Sequence, residues 1–188
     1  MKFYTVEKEI NGKTYKAQFN GISDALRAVD NSYIEGTNIS STEKLAKHLF
    51  SNVLVEPKMS IDDFGADKIG EVKEKEINGK TYKAQFKGIR FAVKTVDNSY
   101  LENGNTSIEK MAKALLDTII VEPENLDIDD FETMEEFNEV VAFAREVMQG
   151  DGVMDEFNEV VAFLSEVMNG NFRGEEKNKK TTKKESSK

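Results

Sequence analysis

One segment of this 188-residue chain occurs twice almost unchanged, and that duplication constrains the fold more than any other feature. Residues 7–19 are identical to residues 74–86. A second pair follows near the end, where MEEFNEVVAF at 134–143 matches MDEFNEVVAF at 154–163. Internal repeats indicate repeated structural units. The chain is therefore predicted to contain two copies of one small body, followed by two copies of one helix.

Each copy of the first segment is predicted to form a β-hairpin. An Asn-Gly pair separates two β-rich runs at 11–12 and again at 78–79, and this dipeptide suits a type I′ turn because both turn residues need a positive φ. The second copy has charged residues where the first copy has two apolar ones, which predicts a shorter or edge first strand. Closing the first hairpin on its turn places one apolar set on a single face, namely Tyr4, Val6, Tyr15, Ala17 and Phe19.

Two helices are predicted to follow each hairpin. Apolar residues recur at the helical period in the first of them and again in the second. The second helix begins with capping-box spacing, which pairs Ser40 with Glu43 in one copy and Thr106 with Glu109 in the other. It must end before an extended Val-Glu-Pro sequence, because a residue that precedes proline avoids the helical region.

The fold class is therefore α+β, with two repeated units of β-hairpin plus two helices, followed by two repeated amphipathic helices. The predicted boundaries are 1–70 for the first unit, 71–150 for the second unit with its terminal helix, 151–172 for the duplicated terminal helix, and 173–188 for a disordered basic tail. A unit of about 70 residues has a small core. Each terminal helix is expected to close one core, the last one reaching back to the first unit, or else the two helices pack on each other as a hairpin. The sequence leaves both arrangements open.

Composition bears on compartment and partners. The chain has no cysteine, no apolar run long enough to span a bilayer and no signal-peptide pattern, which predicts an intracellular protein without a membrane partner. The tail at 173–188 carries a formal charge of +4, so the rest carries −13. A body that negative repels nucleic acid.

No arrangement of residues indicates catalysis, a metal site or a cofactor. The single histidine, His48, is interpreted as a structural residue on the second helix, because Ala114 stands at the matching place. An acidic stretch begins at Asp127 but lacks the glycine and glutamate of a calcium-binding loop, since Glu132 and Asn138 stand at those positions. The chain is predicted not to be an enzyme.

Wide apolar stripes on the two terminal helices are the remaining candidate for function. Such stripes either close a core or hold a partner's amphipathic helix. The residues predicted to contact a partner are Phe137, Val141, Phe157 and Val161.

Short motifs in the second half suggest a family. They are Val-Glu-Pro at 121–123, Asp-Asp-Phe at 129–131, Glu-Phe-Asn-Glu-Val-Val at 136–141 and Val-Met-Gln-Gly at 147–150. This part of the chain resembles the tail assembly chaperones of tailed phages and prophages of Gram-positive bacteria. The resemblance covers most of 71–172, with a shortened second representation in 1–70.

The resemblance implies a function without catalytic residues or cofactors. Chaperones of this family bind the tape-measure protein in the host cytoplasm, keep its apolar helical segments soluble, and leave as tail-tube subunits assemble. The duplication departs from the family and would present two binding surfaces or represent a fused dimer. The partners that this interpretation allows are the tape-measure protein, the tail-tube protein and a second copy of the chain itself. The alternative interpretation is a structural tail component, a tube or connector subunit, retained in the virion. A third is a regulatory protein that binds nucleic acid through its basic tail.

Overall fold

A computed structural model describes residues 3–171, and the predicted basic tail at 173–188 lies outside the described residues. The fold is α+β, as predicted, with two three-stranded antiparallel sheets and six α-helices among the described residues. The strands are β1 (Tyr4–Ile10), β2 (Lys13–Phe19), β3 (Leu54–Glu56), β4 (Val72–Ile77), β5 (Lys80–Gln85) and β6 (Ile120–Glu122). The helices are α1 (Ile22–Ser32), α2 (Thr42–His48), α3 (Ile89–Asn98), α4 (Ile108–Thr118), α5 (Met134–Gln149) and α6 (Val153–Met168).

The predicted hairpin register is confirmed in both copies. Ile10 pairs with Lys13 and Tyr4 with Phe19 in the first copy, and the second copy has the equivalent pairing from Ile77 to Lys80. Both turn asparagines have a positive φ of 50°. The first strand of the second hairpin is shorter by one residue, as predicted, and both β1 and β4 lie at the edge of their sheets.

Each sheet has a third strand that the hairpin prediction did not include. The Val-Glu-Pro segments pair through β3 with β2 and through β6 with β5. Sequence alone indicated an extended chain there, because proline limits the residue before it. A run of three residues is too short to carry the period-2 pattern that identifies a strand.

The second helix of each unit begins one residue later than the capping-box spacing indicated. Its N-caps are Ser41 and Ser107, whose hydroxyls accept hydrogen bonds from the backbone N–H of Lys44 and Lys110. The preceding residue instead pairs in an isolated bridge with a tyrosine that follows the first helix, Ser40 with Tyr33 and Thr106 with Tyr100. The prediction of Ser40 and Thr106 as caps is therefore wrong by one position.

The two terminal helices pack on different units. Helix α5 contacts α3, α4, β4 and β5 of the second unit, whereas α6 contacts β1, β2 and the π-helical turn Leu49–Val53 of the first. Of the two arrangements that the sequence left open, the structure has the one in which the last helix reaches back. The buried apolar residues of both units and both helices form one continuous core.

Two glycines allow the chain to turn from α5 into α6 against the body of the protein. Gly150 has φ 65° and ψ 152°, a conformation that in practice only glycine adopts. A Cβ atom there would lie 2.9 Å from Cε2 of Phe86. Gly152 also has a positive φ, 72°, but a Cβ there would meet nothing within 4 Å.

Alanine at these two glycines separates backbone strain from steric conflict. We expect Gly150→Ala to lower the free energy of unfolding by about 3 kcal/mol, because strain and the clash with Phe86 add together. Gly152→Ala is the matched control and should cost about 1 kcal/mol. Urea unfolding of the three proteins checks this, and equal losses in both variants would contradict a close approach at Phe86.

Candidate interaction surface

The four residues predicted to contact a partner are not brought together in one exposed groove. Phe157 is fully buried, and Phe137, Val141 and Val161 are partly buried and packed against the core. Phe137 and Val141 lie on α5 and the other two on α6, and the two helices pack on separate units. All four therefore serve to seat the terminal helices in the structure as it stands.

Phe157 is the central apolar contact between α6 and the first unit. Its ring stacks on Phe50 at a centroid distance of 6.3 Å and meets Phe64 edge-on at 5.4 Å. The equivalent residue of α5, Phe137, meets Phe131 edge-on at 5.4 Å. Phe157 could contact a partner only if α6 moved away from the first unit.

A buried carboxylate fixes α5 on the second hairpin. Glu136, in the first turn of α5, is only 3% exposed. Its Oε1 accepts hydrogen bonds from the hydroxyl of Tyr82 at 2.6 Å and from Nζ of Lys80 at 3.0 Å. A buried charge with two donors is strongly oriented, so this contact sets the position of α5 along the sheet.

The same contact occurs between α6 and the first hairpin. Oε1 of Glu156 accepts hydrogen bonds from Nζ of Lys13 at 3.2 Å and from the hydroxyl of Tyr15 at 3.3 Å. We call the two contacts the carboxylate latches. The distances are longer than in the second unit, and the Glu156 side chain is 22% exposed against 4% for Glu136. The latch of α6 is therefore the looser one.

Burial and charge shift the pKa values in the latches. Burial, followed by the nearby Glu156 carboxylate, raises the pKa of Tyr15 to about 12. Burial and the hydrogen bond to Glu136 raise the pKa of Tyr82 as well. The hydrogen bonds from Tyr82 and Lys80 lower the pKa of Glu136, so the ionised carboxylate is favoured in the folded protein.

The two units meet where α3 of the second unit contacts α2 of the first. Asp97 of α3 supplies a second cap to α2: it accepts hydrogen bonds from the hydroxyl of Ser41 at 2.6 Å and from the backbone N–H groups of Thr42 at 3.0 Å and Glu43 at 3.1 Å. A carboxylate at a helix N-terminus is favoured by the free N–H groups and by the helix dipole.

Arg90 adds a charged contact between the units. Its guanidinium donates to both carboxylate oxygens of Asp62, at 2.6 and 2.7 Å, and to Glu43 at 3.0 Å. The hydrogen bonds from Arg90 lower the pKa of Asp62. Helix α1 of the first unit has Ser23 at the position equivalent to Arg90, so α1 has no guanidinium with which to make the same contact.

The units differ in an exposed apolar stripe on α1. Ile22 and Leu26 are 52% and 60% exposed, whereas the equivalent Ile89 and Val93 of α3 are 1% and 3% exposed. Ile108, at the start of α4, is 76% exposed. Apolar side chains on one helix face that remain in water are candidates for an interaction surface.

The predicted structural role of His48 agrees with its surroundings. Its Nε2 lies 3.1 Å from Oδ2 of Asp24, which ties α2 to α1, and its Nδ1 lies 3.2 Å from Asn52. Within residues 3–171, no cluster of three or more His, Cys, Asp or Glu side chains could hold a metal ion. Every helix in that range is too short or too polar to cross a membrane.

Sequence reasoning missed the carboxylate latches and the Asp97 cap. The latches had a signal, since Glu136 and Glu156 fall at the same place in the repeated helices and Tyr and Lys recur in both hairpins. No sequence signal distinguishes Asp97, because Asp30 occupies the equivalent position in the first copy and is exposed. Only the arrangement of the two units in space distinguishes them.

Comparisons with protein-family models, with curated proteins and with solved structures find no match for this chain.

The latch of α5 should make stability depend on pH. Because the folded-state pKa of Glu136 is below its ordinary value of 4.5, the ionised group stabilises the fold above that value and loses its effect as the pH falls through the folded-state pKa. We expect Glu136→Gln to be less stable than the parent at about pH 7 and to differ less from it at about pH 3. Thermal unfolding over this range checks this, with the exposed Glu139→Gln as the matched control. A difference that grows on acidification would contradict the latch.

The Asp97 cap offers a second test with a built-in control. Asp97→Ala removes three hydrogen bonds to the start of α2 and should lower the free energy of unfolding by about 2 kcal/mol. Asp30→Ala makes the same change at the equivalent exposed position and should have little effect in dilute solution. Urea unfolding distinguishes the two, and equal losses would show that Asp97 does not join the units.

Proposed function

We propose that this protein is a non-enzymatic phage tail assembly chaperone, which binds apolar helical segments of the tape-measure protein in the host cytoplasm. The observation that carries the proposal is that the same binding site for an amphipathic helix occurs once on each unit. We call this site the seat. Helix α5 packs on β4, β5, α3 and α4 of the second unit. Helix α6 packs on the equivalent β1, β2, α1 and π-helical turn Leu49–Val53 of the first. A fold built to receive amphipathic helices suits a partner that consists of them.

The chemistry of the seat specifies what it accepts. The seated face of α6 is apolar along its length and includes Phe157, Val160, Leu164 and Val167, all fully buried. A single acidic residue near its start faces the tyrosine and lysine of the hairpin. A client helix that fits this seat would have apolar residues at a helical period and a carboxylate in its first turn.

The seat of α6 is the better candidate for exchange with a client. Its latch is longer and more exposed than that of α5. A short linker, Gly150 to Gly152, joins α6 to the rest of the structure, and glycine permits the chain to change direction there. A client that fits the seat more closely than α6 would displace it by mass action.

The charge of the body supports the role. A chaperone that binds apolar segments needs a strongly charged exterior to stay soluble, and the chain carries −13 outside its basic tail. The motifs that resemble tail assembly chaperones lie in the second unit and in α5, the parts that build and fill one seat. A tape-measure protein, and a tail-tube protein during hand-over, are the expected partners.

Weakening the α6 latch should strengthen client binding if the client takes the seat. Glu156→Gln removes the charge that faces Lys13, and we expect the protein to bind the tape-measure protein of the same phage about threefold more tightly. The matched control is Glu159→Gln, an exposed residue of the same helix with no latch contact. Co-purification and titration with the purified tape-measure protein provide the measurement.

Each outcome has a separate meaning. Failure of the unmodified protein to bind or solubilise the tape-measure protein would overturn the proposed function. Equal affinity in both variants would retain the function but reject the α6 seat as the binding site. Mass spectrometry of purified virions tests the structural alternative, because a chaperone should be depleted from the particles and a tube or connector subunit should be retained.

A further inference from the structure

The two units contact each other through different surfaces. The second unit uses one face of α3, and the first unit uses α2, the 3-10 helix Ile61–Asp63 and α6. A contact between unlike surfaces of two similar bodies leaves one copy of each surface unused. The unused surfaces are the matching face of α1 in the first unit and, in the second, the start of α4 with the 3-10 helix Ile128–Asp130 and α5.

The unused face of α1 has the same residue pattern as the face of α3 that is buried. On α3 the residues Ile89, Val93 and Asp97 follow each other at four-residue spacing and are 1%, 3% and 8% exposed. The same spacing on α1 gives Ile22, Leu26 and Asp30, of which the first two are 52% and 60% exposed and Asp30 is also exposed. We call these three residues the α1 stripe.

The surface that would receive this stripe is also present. Ser41, Thr42 and Glu43 receive Asp97 at the start of α2, and their equivalents at the start of α4 are Ser107, Ile108 and Glu109. Ser107 caps α4 as Ser41 caps α2, through the N–H of the residue three positions on. Ile108 is 76% exposed, so this end of α4 is apolar as well as rich in free N–H groups.

We propose that copies of this chain associate head-to-tail, with the α1 stripe of one copy docked on the start of α4 of the next. Ile22 and Leu26 pack beside Ile108, as α3 packs beside α2 within one chain. Asp30 accepts hydrogen bonds from the Ser107 hydroxyl and from the backbone N–H groups of Ile108 and Glu109.

A charged pair is available in the same place. Lys94 Nζ lies 3.6 Å from Oε1 of Glu43 at the contact within the chain. Their equivalents are Arg27 on α1 and Glu109 on α4, both exposed and opposite in charge. The contact between copies therefore keeps the cap, the apolar stripe and one ion pair.

The contact between copies is weaker than the contact within a chain. Ser23 replaces Arg90, so the two-pronged bond to Asp62 has no counterpart. The units within a chain are also covalently joined, which raises their effective concentration. Ile108 in place of Thr42 and Leu26 in place of Val93 add apolar surface and offset part of the loss. Association in the micromolar to millimolar range is expected.

A head-to-tail contact does not stop at two copies. Each added copy brings a new free α1 stripe and a new free α4 end, so assembly continues unless the rotation closes a ring. This property goes beyond the proposed chaperone function, because it requires no client.

Sedimentation velocity of the full chain over a concentration series tests the proposal. The weight-average sedimentation coefficient should rise with concentration and pass the value of a dimer. Leu26→Glu and Ile108→Glu place a charge on either side of the contact, at positions exposed enough to leave the fold intact, and each variant should remain monomeric. Ile69→Glu, at an exposed apolar residue outside both surfaces, is the matched control and should associate like the parent.

Mixing the two variants gives the decisive result. Leu26→Glu retains its α4 end and Ile108→Glu retains its α1 stripe, so the mixture can make one intact contact and should form one-to-one dimers that grow no further. Arg27→Glu should weaken association, and Glu109→Lys added in the same chain should restore it. A parent protein that stays monomeric at every concentration, or a mixture of the two monomeric variants that does not dimerise, would overturn the proposal.

Discussion

The structure depends on the seating of one amphipathic helix in each of two small bodies. A body of one three-stranded sheet and two helices has only a small core, and α5 and α6 each cover an apolar face of one such body. Each seat combines a buried apolar stripe with one oriented carboxylate, Glu136 on Tyr82 and Glu156 on Tyr15. The stripe supplies most of the stabilisation because it is apolar, whereas the carboxylate determines where along the sheet the helix lies.

The order of the segments interlocks the two bodies. Helix α5 completes the body that precedes it, and α6 passes back to the first body, so Lys13 and Glu156 meet across 143 positions of the chain. The first unit cannot close its core until the last described helix is in place. The second unit separates the first from its helix in sequence, and the Asp97 cap holds the two units together in space. Contacts between residues this far apart in sequence slow folding, because the chain loses the entropy of closing large loops before the contacts stabilise the fold.

The predictable part of the fold is the part carried by local pattern and by repetition. The Asn-Gly turns determined the hairpin register, and the helical period located α5 and α6. Local pattern could not reveal the third strands, since three residues carry no period. The partner-binding prediction for Phe137, Val141, Phe157 and Val161 rested on apolar character, which does not reveal that Phe157 is fully buried against the first unit. Asp97 and Asp30 have the same sequence surroundings, and only the packing of the units gives one of them a partner.

Several residues that are the same in both units make the same contacts, and several that differ make different ones. The Tyr and Lys residues that hold the carboxylates are identical in both hairpins, because both seats receive the same helix. The face of α3 is buried against the first unit, whereas the matching face of α1 is exposed within one chain. Arg90 and Phe91 on α3 correspond to Ser23 and Asp24 on α1, where Asp24 instead pairs with His48. Leu26 and Asp30 nevertheless keep the apolar and acidic character of Val93 and Asp97, so α1 retains the groups that α3 uses at the contact between units.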